Sequence, residues 1–298
     1  MIEHKNLSKA FGKDKKVIEN LDCHIPDNAI YGLVGANGSG KSTLLRLICS
    51  IYTADNGEIL IDGEKSYDNE EIKKKIVFVP DDLFFFNGYT LLDTAKFYQS
   101  FYEDFDLEFV KKEAKLLKLD INKSVASFSK GMKRQCALLC AIACNTKYLF
   151  FDETFDGLDP VVRKHFKDLL IKQMTKQDTT IIMTSHNLRE LEDICDNLGL
   201  LFKGSILFEG DIDSLKTNII KVQISLKGDF SKDDFKDFEI LSYKKLGNIA
   251  TIIMEDNKDV RNKLSKMKPI ILDYLPLTLE EIFIYKMEVL GYEFNEVL

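Results

Sequence analysis

Gly35-Ala36-Asn37-Gly38-Ser39-Gly40-Lys41-Ser42 is the stretch of this sequence that decides its fold. Glycines let the backbone curl tightly, so that successive N–H groups point inward at phosphate oxygens. Lys41 then reaches the β and γ phosphates, and the Ser42 hydroxyl is placed to bind Mg²⁺. We predict that residues 35–42, together with Thr43, hold a nucleoside triphosphate.

The flanking segments support this prediction. Residues 29–34 are typical of a buried strand, and apolar residues recur at helical spacing from Thr43 to Ile51. A strand, a glycine loop and a helix N-terminus in this order concentrate dipoles that bind anions. A turn that is glycine-rich by accident is the alternative, and the full pattern arises by chance in on the order of one per cent of chains this long.

Composition sets the limits of the molecule. The chain has 298 residues, 45% of them hydrophobic, and a formal net charge of −7. This length suits one large domain and a small one, and the negative charge gives no reason to expect nucleic acid or an anionic membrane surface as a partner. No apolar run approaches the ~20 residues that span a bilayer, and the N-terminus lacks a signal-peptide pattern. We therefore expect a cytoplasmic protein.

Six cysteines without a CxxC spacing fit reduced thiols in that compartment. Cys136, Cys140 and Cys144 recur every four residues, which allows a stripe of soft metal ligands. Alanine, leucine and isoleucine lie between them, so the pattern favours a buried helix face.

The order of the segments predicts an α/β fold. Short β segments surround the glycine loop, a helical insertion covers about residues 88–144, and apolar strands return at 148–151 and 179–184 with a crossover helix between them. A hairpin over 200–208 closes this part. We place a nucleotide-binding domain at 1–213 and a small α+β domain at 214–298, with strands near 221–226, 249–254 and 270–275 and helices near 259–267 and 279–290.

Asp152 and Glu153 follow a buried strand, at the sheet edge where open α/β sheets bind their ligands. Asp152 would hold the hydration shell of Mg²⁺, and Glu153 would polarise the water that attacks the γ-phosphorus. His186 ends the next apolar strand, where it would donate a hydrogen bond to the γ-phosphate. Each has a plainer interpretation, a solvated loop start for the acidic pair and a structural side chain for the histidine.

Phe128-Ser129-Lys130-Gly131-Met132-Lys133-Arg134-Gln135 precedes the apolar helix that carries the cysteines. A serine cap with free N–H groups makes an anion site, although it is equally a plain helix cap. With this segment, the chain resembles the ATP-binding cassette (ABC) family over about residues 1–211. The resemblance rests on five motifs in the family's order: the phosphate loop, residues 128–135, Asp152-Glu153, Gly157-Leu158-Asp159 and His186.

The resemblance implies a P-loop NTPase core of ABC type, with antiparallel β segments at the N-terminus and ATP and Mg²⁺ as cofactors. It implies that Phe11 stacks on adenine. It also implies that Ser129 and Gly131 contact the γ-phosphate of ATP bound to the opposite subunit, and that Asp159 links the two sites. Catalysis would rest on Glu153, His186 and Lys41, in a homodimer or a heterodimer of nucleotide-binding subunits.

Two positions depart from the family pattern. Lys130 stands where the signature usually has its second glycine, and Asp81-Asp82 follow Pro80 where the family usually has glutamine. An aspartate there could bind Mg²⁺ directly, whereas without metal it would repel a triphosphate. We therefore assign the metal to Ser42, Asp81 and Asp152.

The leading functional prediction is the ATPase subunit of a membrane transporter, attached to the inner face of the membrane through a separate transmembrane permease subunit. Ser129-Lys130-Gly131-Met132 and the C-terminal segment 277–283 resemble cassettes of bacterial exporters for drugs, antimicrobial peptides or lipids. A packing helix is the plainer interpretation of 277–283. The alternatives are a soluble ABC-type ATPase and a nucleotide-dependent regulatory module, and Glu153 with His186 favours turnover over sensing.

Overall fold

A computed structural model describes residues 1–12, 15–217, 219–256 and 258–289. The chain divides into two compact units, Met1–Glu209 and Gly210–Leu298. The division falls a few residues before the position 213/214 that the sequence predicts. Leu290, the predicted last residue of the final helix, lies outside the described residues.

The first unit combines two sheets with helices. In chain order its strands are β1 (Ile2–Phe11), β2 (Lys15–Ile25), β3 (Ile30–Val34), β4 (Asn56–Ile61), β5 (Glu64–Lys65), β6 (Ile76–Val79), β7 (Tyr148–Asp152), β8 (Thr180–Ser185), β9 (Asn197–Phe202) and β10 (Ser205–Asp211), whose last two residues belong to the second unit. Its helices are α1 (Lys41–Ile48), α2 (Glu70–Lys74), α3 (Leu91–Gln99), α4 (Leu107–Leu116), α5 (Lys130–Ala143), α6 (Pro160–Gln177) and α7 (Leu188–Glu192).

A six-stranded sheet of order β10-β9-β3-β8-β7-β6 forms the centre of this unit. Every residue of β3, β7 and β8 is buried, which confirms the prediction of strands covered on both faces. β3, β8 and β7 are parallel neighbours, in a register that pairs Val34 with Ser185 and Asp152 with Thr184. The carboxyl ends of these three strands therefore meet at one edge of the sheet.

The second sheet of the unit is antiparallel and has the order β2-β1-β4-β5. It shares a hydrophobic core with α1 and the central sheet. That core includes Ile2, Leu21, Leu45, Ile61 and Phe150, all of them buried. This sheet is the antiparallel N-terminal β structure that the family resemblance predicts.

Helices α3, α4 and α5 form the predicted helical insertion, and local capping explains where they begin. Thr90 and Asp93 make a capping box at α3, Asp106 caps α4, and the Ser129 hydroxyl accepts from the Met132 N–H at α5. The longer α6 connects β7 to β8, with Asp159 as its cap and Pro160 at its first turn.

The cysteine stripe lies on α5 among buried apolar residues. Cys136, Cys140 and Cys144 are buried free thiols. Burial raises the pKa of Cys136 to about 12 and that of Cys140 and Cys144 further. A soft metal needs thiolates, so these residues serve as a packed helix face.

The second unit contains α8 (Ile212–Thr217), β11 (Ile219–Ser225), β12 (Ile240–Leu246), β13 (Ile249–Glu255), α9 (Lys258–Lys266), β14 (Ile271–Leu275) and α10 (Leu279–Val289). Its antiparallel sheet has the order β12-β13-β11-β14. With a 3₁₀ turn at Lys232–Phe235 in place of the first helix, this is a ferredoxin-like arrangement. Phe235, Ile252 and Leu264 are fully buried in its core.

No helix within the described ranges is long and apolar enough to cross a membrane.

Candidate nucleotide-binding site

The glycine loop leaves the centre of the sheet at Val34 and enters α1. A Cβ on Gly35 would lie 2.4 Å from the Leu201 carbonyl oxygen, so only glycine fits this close approach. Gly40, the N-cap of α1, has φ 112°, a conformation that side chains with a Cβ rarely adopt. These two positions hold the loop in the shape that turns its N–H groups inward.

Lys41 lies folded into this loop. Its side chain is 4% exposed, and Nζ donates to the carbonyl oxygens of Gly35 at 2.7 Å and Ala36 at 3.2 Å. The Ser39 hydroxyl is buried and has no hydrogen-bond partner among the residues that the structure describes. A buried donor without a partner and a buried ammonium group fit an anion in the loop.

Asp152 lies at the carboxyl end of β7, directly across from the start of α1. Its Oδ1 accepts hydrogen bonds from Ser42 Oγ at 3.0 Å and Thr184 Oγ1 at 2.8 Å. Its Oδ2 is buried and accepts no hydrogen bond from any described residue. An oriented carboxylate with one unused oxygen beside a serine hydroxyl is an oxygen donor set that suits Mg²⁺.

Glu153 adopts φ 48°, a left-handed conformation that is unfavourable for a side chain of this size. The Glu153 N–H donates to Thr184 Oγ1 at 3.0 Å, and this bond holds the strained backbone in place. Its carboxylate lies between two cationic or ionisable groups, 3.6 Å from Lys41 Nζ and 3.7 Å from His186 Nδ1. Strain of about 1–3 kcal/mol is a feature of functional sites, where the surrounding structure fixes a side chain in one place.

His186 follows β8 and is about half exposed. Its Nδ1 lies 3.1 Å from Asp156 Oδ2, and Asp156 Oδ1 accepts from Ser185 Oγ at 2.9 Å. Burial raises the pKa of Asp156 to about 6, and the neighbouring Glu190 carboxyl contributes to this shift. His186 Nδ1 therefore lies close to two carboxylates, those of Glu153 and Asp156.

A cavity of 430 Å³ lies beside Lys41, Ser42 and Glu153, whereas Asp152 and His186 are not part of its lining. Its lining residues are Phe11, Val17, Asn37, Gly38, Gly40, Lys41, Ser42, Thr43, Asp81 and Glu153. Phe11 is 40% exposed and packs edge-on against Tyr52, with ring centroids 5.4 Å apart. An aromatic face therefore lies in the same cavity as the phosphate loop, as stacking on a base requires.

Ser129, Gly131 and Asp159 are not part of this cavity lining. Ser129 and Asp159 are exposed helix caps, and a Cβ on Gly131 would meet no atom within 4 Å. A single chain therefore does not bring these three residues to its own phosphate loop. Their role across a subunit interface remains a prediction.

Asp81 lines the cavity but also contacts α5. Its Oδ1 accepts from Arg134 Nη2 at 2.9 Å, and the Arg134 side chain is only 8% exposed. This ion pair cannot be predicted from a local motif, because the two residues are 53 positions apart. It joins the segment after β6 to the helix that Ser129 caps.

Thr184 and Asp156 are the other site residues that sequence reasoning missed. Thr184 stands two residues before His186 and Asp156 three residues after Glu153, so their nearness to predicted residues was the available signal. Only the pairing of β7 with β8 shows that Thr184 connects Asp152 to the Glu153 backbone.

The parallel sheet, the glycine loop and the Ser42–Asp152 pair define a phosphate-loop nucleotide-binding protein. A family model described as ABC transporter matches residues 18–156. The ABC transporter ATP-binding protein YtrB of Bacillus subtilis is 31% identical over 287 residues, which cover 96% of this chain and 98% of YtrB. The chain therefore belongs to the ATP-binding proteins of ABC transporters.

Two further likenesses agree. The bacitracin transport ATP-binding protein BcrA of Bacillus licheniformis is 28% identical over 270 residues, which cover 88% of this chain and 81% of BcrA. A solved structure of an ATP-binding subunit of an ABC transporter superposes with a TM-score of 0.66 at 25% identity, over 72% of this chain and 92% of that one. The family to which the chain belongs binds ATP.

Proposed function

We propose that this protein hydrolyses ATP to drive a membrane transporter, and that it does so as one of two nucleotide-binding subunits attached to a separate permease. The observation that carries the proposal is the cluster of Lys41, Ser42, Asp152 and Glu153 at one end of three parallel strands. In this arrangement side chains that can bind phosphate and accept the proton of the attacking water lie close together.

Lys41 exchanges its carbonyl partners for phosphate oxygens and neutralises part of their charge. Glu153, oriented by its backbone bond to Thr184, accepts the proton of the attacking water. His186 holds the γ-phosphate at the open side of the cleft. Ser42 and Asp152 would hold Mg²⁺, which would supply positive charge to offset that of the phosphates.

The proposed cargo class follows from relatives. BcrA is named for bacitracin transport, and the match covers most of both chains. We propose export of an antimicrobial peptide, a drug or a lipid, with the protein at the inner face of the membrane. Phe84, 77% exposed beside other aromatic residues, offers an apolar contact for such a membrane-bound partner.

The test is a pull-down of the tagged protein from detergent-solubilised cells that express it. We expect a polypeptide with about six apolar segments of ~20 residues to co-purify. We also expect that cells without the gene become more sensitive to bacitracin-like peptides, and that the wild-type gene restores resistance whereas Glu153→Gln does not. Magnesium-dependent ATPase activity without a membrane partner would favour the soluble ATPase instead.

Asp81→Ala tests the proposed metal contact. Because Asp81 lines the same cavity as Ser42, we expect a severalfold increase in the Mg²⁺ concentration for half-maximal ATPase activity. Asp81→Asn keeps a hydrogen-bond acceptor for Arg134 but removes the charge, and it should show the same increase. An unchanged Mg²⁺ dependence in both variants would assign Asp81 to the Arg134 pair alone.

A further inference from the structure

The turn after β7 contains an ionisable residue to which neither the family motifs nor the proposed chemistry gives a role. Asp156 lies three residues beyond Glu153, and its side chain is 14% exposed. Ser185 Oγ donates to its Oδ1 at 2.9 Å, and Ser185 is itself fixed because its oxygen accepts from the Asn187 N–H at 2.9 Å. The Asp156 carboxyl therefore has one defined orientation.

The other oxygen, Oδ2, faces His186. It is buried, it accepts no hydrogen bond from a described residue, and it lies 3.1 Å from His186 Nδ1. A buried carboxylate oxygen without a donor is costly, and a small rotation of the imidazole ring brings its N–H into line. Hydrogen bonds of catalytic groups are often poorly aligned before substrate binds and tighten afterwards.

We propose that Asp156 is a positioning residue, which orients the His186 ring through Nδ1 and leaves Nε2 for the γ-phosphate. This inference rests on the proposed ATP hydrolysis. An ionised Asp156 requires the proton on Nδ1, because a carboxylate can only accept. Nε2 then donates when the ring carries both protons. The Asp156 and Glu153 carboxylates lie 3.1 and 3.7 Å from Nδ1.

The groups around Asp156 make its contact with His186 Nδ1 sensitive to pH. His186 and Glu190 face Asp156 from the segment that follows β8, and the Glu153 carboxylate approaches the same His186 Nδ1. Arg163 of α6 donates to Glu190 Oε1 at 2.7 Å and also to the Leu158 carbonyl oxygen, in the same turn as Asp156. Burial and the Glu190 carboxyl place the pKa of Asp156 at about 6, so it is ionised at pH 7 and neutral at pH 5.

Asp156→Asn is the deciding variant, because asparagine has the shape of a protonated aspartate. We expect the kcat of the wild type to exceed that of Asp156→Asn about tenfold above pH 7, and the ratio to fall to near one at pH 5. Because both proteins hydrolyse the same ATP, protonation of ATP affects both kcat values equally and does not change their ratio. The KM for ATP should not change, since Asp156 does not line the cavity. Asp104→Asn, an exposed aspartate on the helical insertion, is the matched control and should give a ratio of one throughout.

Glu190→Gln gives a second measurement. It removes a carboxyl that raises the pKa of Asp156. The pH at which the kcat ratio lies halfway between its high and low limits should therefore be lower in this background. A ratio that stays constant between pH 5 and pH 8, or a change in KM with an unchanged kcat, would overturn the positioning role. Absence of magnesium-dependent ATPase activity in the wild type would instead overturn the proposed function.

Discussion

Glu153→Gln is expected to lower the kcat for ATP hydrolysis at least about 100-fold, because the glutamine amide cannot accept the proton of the attacking water. ATP affinity should remain within about threefold of the wild type, since removing the carboxylate lowers the negative charge near the phosphates. The measurement is steady-state phosphate release, with nucleotide affinity from titration calorimetry.

The same variant should accumulate an ATP-bound dimer. If hydrolysis separates two subunits that enclose ATP, a protein that binds but does not hydrolyse ATP stays associated. We expect light scattering to report a dimer of Glu153→Gln in ATP and Mg²⁺, and a monomer without nucleotide. Glu108→Gln, at an 81% exposed position on α4, is the matched control and should behave as the wild type. Steady-state ATPase activity that equals the wild type would remove Glu153 from the role of base.

The sequence predicted the elements whose signals are local and strong. The glycine loop, the continuous apolar runs of β3, β7 and β8, and the capped helix α6 occur where the residues predict them. A five-residue helix such as α2 completes little more than one turn, so its apolar periodicity is too short to detect. The edge strand β12 alternates half-buried and exposed residues and carries two lysines, which hides its strand character.

The candidate site also contains some residues that the sequence predicts and others that it does not. Lys41, Ser42 and Glu153 lie in local motifs, and the structure brings their side chains around one cavity. Thr184 and Arg134 act through partners 32 and 53 positions away, and only strand pairing and helix packing create those contacts. Asp156 was visible in the sequence, but its nearness to His186 depends on the order β8-β7 in the sheet.

Lys41→Ala is expected to raise the Kd for ATP at least about 100-fold, which corresponds to about 2.7 kcal/mol of binding free energy. The ammonium group is the buried cation of the phosphate loop, and losing a charge-assisted bond to phosphate in a desolvated site costs about 2–5 kcal/mol. Titration of a non-hydrolysable ATP analogue measures the effect. Lys65→Ala, at a 75% exposed position, is the control and should bind as the wild type.

Lys41→Arg should also bind poorly, because the planar guanidinium group is larger than the buried ammonium group that donates to the Gly35 and Ala36 carbonyl oxygens. Combining Lys41→Ala with Glu153→Gln separates binding from hydrolysis. If ATP itself joins the two subunits, the double variant should stay monomeric at ATP concentrations that make Glu153→Gln dimeric. A dimer of the double variant at those concentrations would mean that association does not depend on nucleotide in the phosphate loop, and the proposed cycle of closure and release would fail.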